Sequence, residues 1–118
     1  MSGIEVIERD DLPASNFSRE FIGADHGGTG VSFILVEAEP GRGPSLHKHD
    51  YEEIFIVLEG QATVFTGDEE MEIRGGQVVI VRAGQPHGFT NTGDGPLRQI
   101  DIHLSDRFGT EWLEQAAD

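Results

Sequence analysis

Apolar and polar residues alternate in short runs along most of this chain, and glycine-rich turns punctuate the runs. The stretches VSFILVEA (31–38), EEIFIVLE (52–59) and LRQIDIHL (97–104) concentrate β-branched and aromatic residues. Alternation with a period of two in such stretches predicts half-buried strands rather than helices. The same criterion adds strands at 4–8, 17–23, 61–66, 71–74 and 77–81. The joints between them, such as Asp25-His26-Gly27-Gly28, Pro40-Gly41, Gly67-Asp68, Gly75-Gly76 and 91–96, are built from turn formers. Few joints leave room for a helical crossover, so the strands are predicted to pair antiparallel. The fold class that follows is all-β, a sandwich or barrel. Beyond Ser105 the alternation stops, and Thr110 is placed to cap a short C-terminal helix carrying Trp112 and Leu113 on the outside of the barrel.

A chain of 118 residues suits one domain around one core, and it shows no internal repeat or linker. Twenty-two acidic residues against eight basic ones give a net charge of -14. Such a surface repels phosphate backbones and anionic leaflets, so neither nucleic acid nor membrane is an expected partner. The chain has no cysteine, which excludes disulfides, thiolate nucleophiles and cysteine-ligated metals. Any metal here must take nitrogen and oxygen ligands. The first residues, MSGIEVIERDDLPASNF, carry neither a basic leader nor a long apolar segment, and the expected setting is the cytoplasm.

The candidate chemistry sits in GRGPSLHKHDYEEIFIVLEG, residues 41–60. Along an extended segment His47, His49, Tyr51 and Glu53 share one face, while Glu52 points the other way. Phe55 and Val57 continue that face inward. A polar trio leading into an apolar face is costly unless something satisfies it, and one divalent cation satisfies all three groups. Two histidines and a carboxylate are a recurrent ligand set for first-row ions. The residues alone leave a second reading open, with His47 and His49 as exposed loop residues beside Lys48 and Asp50, and Glu53 facing solvent.

The spacing around these residues resembles the first signature of the cupin superfamily. Gly41 is followed by five residues, His47-Lys48-His49, three residues, Glu53, six residues and Gly60. The second signature is matched in GQVVIVRAGQPHGFTN by Gly76, Gly84, His87 and Asn91. One position departs, because Arg82 stands where the family usually has proline. The resemblance implies an antiparallel double-stranded β-helix, a jelly-roll barrel. It also implies that His47, His49, Glu53 and His87 ligate one divalent transition metal ion, Fe, Mn, Zn or Ni.

By the same resemblance the chain is a metal-dependent enzyme acting on a small molecule, with dioxygenase chemistry as the leading reading. Cyclase, isomerase or lyase chemistry, and a non-catalytic small-ligand-binding role, stand as alternatives. Small members of the superfamily commonly pair, so a homodimer is expected.

Other residues near the motifs carry weaker signals. Tyr51 lies on the ligand face by parity and is a candidate catalytic donor, or else rim packing. On the last strand Gln99, Asp101 and His103 share one face, and Ile100, Ile102 and Leu104 the other. With the polar face inward, His103 is a candidate catalytic acid or base and Asp101 the group that orients it. Arg82 reads as a solvated or salt-bridged rim residue, or else a contact for an anionic substrate at the mouth, and His26 as an exposed turn residue. Phe33, Phe65 and Phe89 line either the pocket or the core.

Overall fold

The computed structural model describes residues 3–114. Its strands are β1 (Ala14–Ser15), β2 (Ser18–Phe21), β3 (Ser32–Ala38), β4 (His47–Lys48), β5 (Glu53–Glu59), β6 (Gln61–Phe65), β7 (Glu70–Arg74), β8 (Val78–Val81), β9 (Gly88–Asn91), β10 (Leu97–His103) and β11 (Glu111–Trp112). They form a six-stranded sheet in the order β1-β2-β3-β10-β5-β8, a three-stranded sheet β7-β6-β9 and the pair β11-β4. Every pairing is antiparallel. This is the all-β jelly roll that the alternation and the two signatures predicted.

Alternation decides which face is inside. Val36 and Ala38 on β3, Phe55 and Val57 on β5 and Leu97 on β10 meet Ala62 and Val64 on β6, Ile73 on β7 and Phe89 on β9 in one apolar cluster. Phe55 and Phe89 are 1% and 2% exposed, and burying each ring contributes about 1.5–3 kcal/mol. At the opposite end of the same inner face the side chains turn polar. Gln99, Asp101 and His103 alternate inward along β10, and all three are buried. The polar face of the last strand therefore looks inward.

Two glycines of the signatures hold the corners. Gly60 joins β5 to β6 with φ +95°, and a Cβ there would press on the Pro96 carbonyl, so only glycine fits. Gly84, with φ +81°, donates its N–H to the His49 carbonyl at 2.7 Å and so ties the second signature to the first. Arg82 does not disturb this corner. Its carbonyl accepts the Gln85 N–H at 3.1 Å, and its guanidinium pairs with Glu52 at 2.8 Å on the exposed rim.

Three expectations need correction. Residues 4–8 lie outside the sheets, with Ile4 and Val6 exposed to 80% and 84%. Their alternation is a strand pattern that no sheet of this chain takes up. The C-terminal helix is absent: Glu111 and Trp112 form β11 against β4, and the N–H groups of Leu113 and Glu114 donate to the Leu46 carbonyl. A helix this short gains too few internal hydrogen bonds to compete with the open edge of β4. His26 is half-buried, its ring stacked on Phe21 at 4.6 Å, and Phe21 stacks in turn on Phe33. No helix among the described residues is long and apolar enough to cross a membrane.

Candidate metal centre

His47, His49, Glu53 and His87 converge in the polar end of the barrel, with one ligand atom of each within 4.8 Å of all the others. The first two come from β4 and the bend after it, Glu53 opens β5, and His87 precedes β9. A bridge between His47 and His87, with N–H to carbonyl bonds of 2.9 and 2.8 Å in the two directions, locks the two signatures together. All four side chains are buried, none more than 6% exposed. The segment is not one continuous strand, yet the parity holds: Glu53 turns inward and Glu52 outward to Arg82.

Each of the three histidines is oriented by a backbone carbonyl. Nδ1–H of His47 donates to Ser45 at 2.7 Å, that of His49 to Gly109 at 2.8 Å and that of His87 to Gln85 at 2.8 Å. A carbonyl only accepts, so each Nδ1 carries the proton and each Nε2 of a neutral ring is left with its lone pair. The Nε2 atoms of His87 and His49 then face Glu53 Oε1 at 3.1 and 3.2 Å. Lone pairs opposed to a carboxylate at that distance repel unless positive charge sits among them. His49 Nε2 is in addition buried without an aligned hydrogen bond.

The ionisation balance says the same. Burial holds the pKa of His47 down to about 4, so this ring is neutral at neutral pH. Burial also works against a proton on His49, but Glu53 and the Gly109 carbonyl outweigh it and raise its pKa. For Glu53 burial acts upward, while His103, His49 and His87 outweigh it and hold the carboxyl well below its usual range. A carboxylate kept ionised among imidazoles fits one divalent ion bound at ~2.1 Å by nitrogen and oxygen. Buried carbonyls that fix the ring tautomer are the support such ligands need.

His103 stands beside this group and outside it. Its Nε2 lies 3.1 Å from Glu53 Oε2 without an aligned hydrogen bond, and its Nδ1 is 2.8 Å from the Tyr51 hydroxyl. Tyr51 also accepts the Gly109 N–H at 3.1 Å, and burial raises its pKa. Tyr51 therefore keeps its O–H and donates it to His103. Asp101, expected to orient His103, instead accepts from Gln99 Nε2 at 2.7 Å. Burial first, and the Glu53 charge second, push the Asp101 pKa well above its ordinary value.

A cavity of about 270 Å³ opens over these groups, walled by Phe17, Ile34, Val36, Phe89, Phe108 and Trp112 among others. Phe89 belongs to both core and cavity, while Phe33 and Phe65 do not line it. Sequence reasoning missed the segment 108–112. Phe108 meets the His103 ring edge-on at 4.8 Å, and Trp112, expected on an outer helix, covers His47 at 4.9 Å. No local pattern announces this, because Gly109 and Trp112 meet His49 and His47, about 60 residues earlier in the chain.

Comparison with known proteins agrees with the geometry. The chain is 29% identical over 107 residues to the HTH-type transcriptional regulator PuuR of Escherichia coli K12, a match covering 87% of this chain and 58% of that protein. It is 32% identical over 71 residues to the oxalate-binding protein of Thermotoga maritima, 59% of each. The chain thus spans a little under three fifths of the length of these two relatives. Bacillus subtilis oxalate decarboxylase, a structure with Mn(II) centres, superposes with a TM-score of 0.74 at 25% identity, over 88% of this chain and 30% of that one. The profile of the Cupin domain matches residues 34–103. A jelly roll carrying both signatures and matched by that profile over more than half its length makes this chain a member of the cupin family.

Proposed function

We propose that the chain is a metal-dependent enzyme acting on a small organic molecule, with dioxygenase-type oxidoreductase chemistry. His47, His49, Glu53 and His87 hold one divalent transition ion, Fe, Mn, Zn or Ni. The observation that carries this reading is the convergence of three buried imidazoles on one ionised carboxylate, with a fourth imidazole, His103, beside them and free of the cage. Once bound, the ion supplies Lewis-acid polarisation of a chelated oxygen and, as iron or manganese, exchange of electrons with dioxygen.

The chain's own residues do the rest. Tyr51 donates to Nδ1 of His103 and so sets the proton of that ring on Nε2, where it is exchanged with substrate. Tyr51 and His103 are thus the catalytic pair of this reading, with Tyr51 acting through the imidazole. Phe108 and Trp112 shield the site from water. The cytoplasm, which keeps iron reduced, is the setting this chemistry needs.

Elemental analysis of protein purified without chelators, followed by oxygen uptake with Fe(II) or Mn(II), tests the reading. A protein that takes up no ion under any loading overturns it. Zinc or nickel as the native ion moves the chemistry to a cyclase, isomerase or lyase. The similarity to an oxalate-binding protein favours a second reading, a ligand-binding barrel without turnover. Tight ligand binding with no product from any metal form would select it.

A homodimer completes the proposal. On the outer face of the six-stranded sheet the register sets Phe33, Ile102, Ile54 and Ile80 in one row, with Leu35, Ile100, Ile56 and Val78 in the next. With strands ~4.8 Å apart these rows run ~14 Å across the sheet. This apolar surface, on a chain of net charge -14, is where two copies meet without repulsion.

A further inference from the structure

One edge of the six-stranded sheet is open. β8 pairs with β5 on one side, and among the described residues no strand pairs with its other side. The ladder fixes which backbone groups face that side. Val57 turns its N–H to the Gln77 carbonyl at 3.0 Å and accepts the Gly76 N–H at 2.9 Å, so alternate residues of β5 bond toward β8. Phe55 and Glu53 therefore bond Val79 and Val81, and the N–H and C=O of Val78 and Ile80 point to the open edge. The side chains of Val78 and Ile80 are exposed as well. Beside them a groove walled by Met71, Ile73 and Val79 separates β8 from β7. An apolar edge of this kind accepts one more strand.

A strand pattern without a sheet lies near the start of the chain. Residues 4–8, IEVIE, alternate, with Ile4 and Val6 exposed, Ile7 half-buried and Glu5 Oε2 3.2 Å from His26 Nδ1. The His26 ring stacks on Phe21 of β2, so this segment lies at the β2 side of the sheet. β8 of the same chain is four strand spacings away, ~19 Å. To reach it the segment would have to cross β3, β10 and β5. β8 of a second copy, brought up against the outer apolar face, requires no such crossing.

We propose that residues 4–8 of one copy add antiparallel to the open edge of β8 in a second copy, with Ile4 opposite Ile80 and Val6 opposite Val78, and that the exchange is reciprocal. The proposal rests on the homodimer reading above and names the segment that joins the copies. In this register the main chain of Ile4 and Val6 meets the outward N–H and C=O groups of Ile80 and Val78. Their side chains lengthen both apolar rows, Ile4 beside Ile80 and Ile54, Val6 beside Val78 and Ile56. Ile7 falls opposite Gln77, over the groove walled by Met71 and Val79. Glu8 falls opposite Gly76, next to the exposed Arg74, which the turn before β8 ties to Gln77. The pair between Glu5 and His26 is largely exposed on the Glu5 side, so releasing it costs little.

The test uses the whole chain. It has no cysteine, so Val6→Cys carries a single nitroxide label at an exposed position outside the sheets. The labelled variant is mixed with isotope-labelled wild type, and the Val78 and Ile80 amide signals of the wild-type copy are expected to broaden and to return when ascorbate reduces the nitroxide. In the reverse arrangement, isotope-labelled Val6→Cys nitroxide diluted into excess unlabelled wild type, those signals are expected to stay sharp. Broadening there shows a segment folded onto its own sheet and overturns the exchange. Hydrogen exchange at Val78 and Ile80 is expected to be at least tenfold slower in the dimer than in the dilute monomer. Val6→Pro, which removes a strand donor outside the sheets, is expected to abolish that protection and to weaken dimerisation at least tenfold, with metal content unchanged. Protection that survives Val6→Pro assigns the edge to another segment and overturns the exchange. A wild-type dimer whose Val78 and Ile80 amides exchange at the monomer rate overturns the exchange and leaves the apolar-face homodimer standing. A monomer at every concentration overturns both.

Discussion

The hydroxyl of Tyr51 lies 2.8 Å from Nδ1 of His103, 52 residues away in sequence, and accepts the N–H of Gly109 at 3.1 Å from its other side. Three separate stretches of chain thus fix one imidazole beside the four-residue cage. Tyr51→Phe removes a hydrogen bond on each side, at a cost of about 1 kcal/mol apiece in stability. Metal content is expected to stay at wild-type level. Turnover of any substrate found should fall at least tenfold in kcat with KM little changed, and the acid limb of the pH profile should move. An unchanged profile would reduce Tyr51 to rim packing.

His87→Ala takes one Nε2 from the cage and leaves Glu53 with one imidazole fewer. Mn(II) affinity, read from quenching of Trp112, is expected to drop at least a hundredfold, and the rise in Tm on metal loading to disappear. Any catalytic activity should vanish with the ion. Activity that survived while Tm fell would make the ion a structural support only.

Chain termination after Asp106 deletes the Gly109 carbonyl that orients His49 and the Trp112 ring over His47. Loss of such an orienting group typically weakens metal binding 10- to 100-fold. Chelator competition should show a loss in that range, while circular dichroism keeps its strand signal because β11 pairs with β4 alone. Wild-type affinity in the truncated chain would dissociate this segment from the site.

Asp101 gives the stability a pH dependence of defined sign. Its folded pKa is raised well above the ordinary 3.8. Above that ordinary value the unfolded chain releases the proton while the folded chain keeps it, so the folded state binds more protons and loses stability as pH rises. Asp101→Asn preserves the shape and the bond from Gln99 but cannot ionise. The variant is therefore expected to gain on wild type as pH rises above about 4 in denaturant unfolding of the metal-free protein. A difference that is flat with pH would mean that Asp101 is ionised in the fold.

Ile80→Asp and Ile102→Asp place charge in the outer apolar row. Light scattering should show a dimer for wild type at micromolar concentration and monomers for both variants, with metal content unchanged. A wild-type monomer would overturn the pairing.

What the sequence determined by itself was whatever alternation and spacing can encode locally. A strand with one buried face writes its period into the residues, so β3, β5, β6, β7, β8 and β10 were legible to within a residue or two. The two signatures likewise put His47, His49, Glu53 and His87 on a single list, because their spacing along the chain is fixed by the strands that bring them within 4.8 Å. Tertiary structure decided the rest. Two-residue strands such as β4 and β11 are too short to show a period, and exist only because each meets the other's edge. Residues 4–8 alternate as a strand does, yet no sheet in this chain receives them. The partner of His103 was also beyond reach. Asp101 is two residues away on the same face and turns to Gln99, while Tyr51, from a different strand end, supplies the bond. Parity says which way a side chain faces; only the packing of one sheet against another segment says what it meets there.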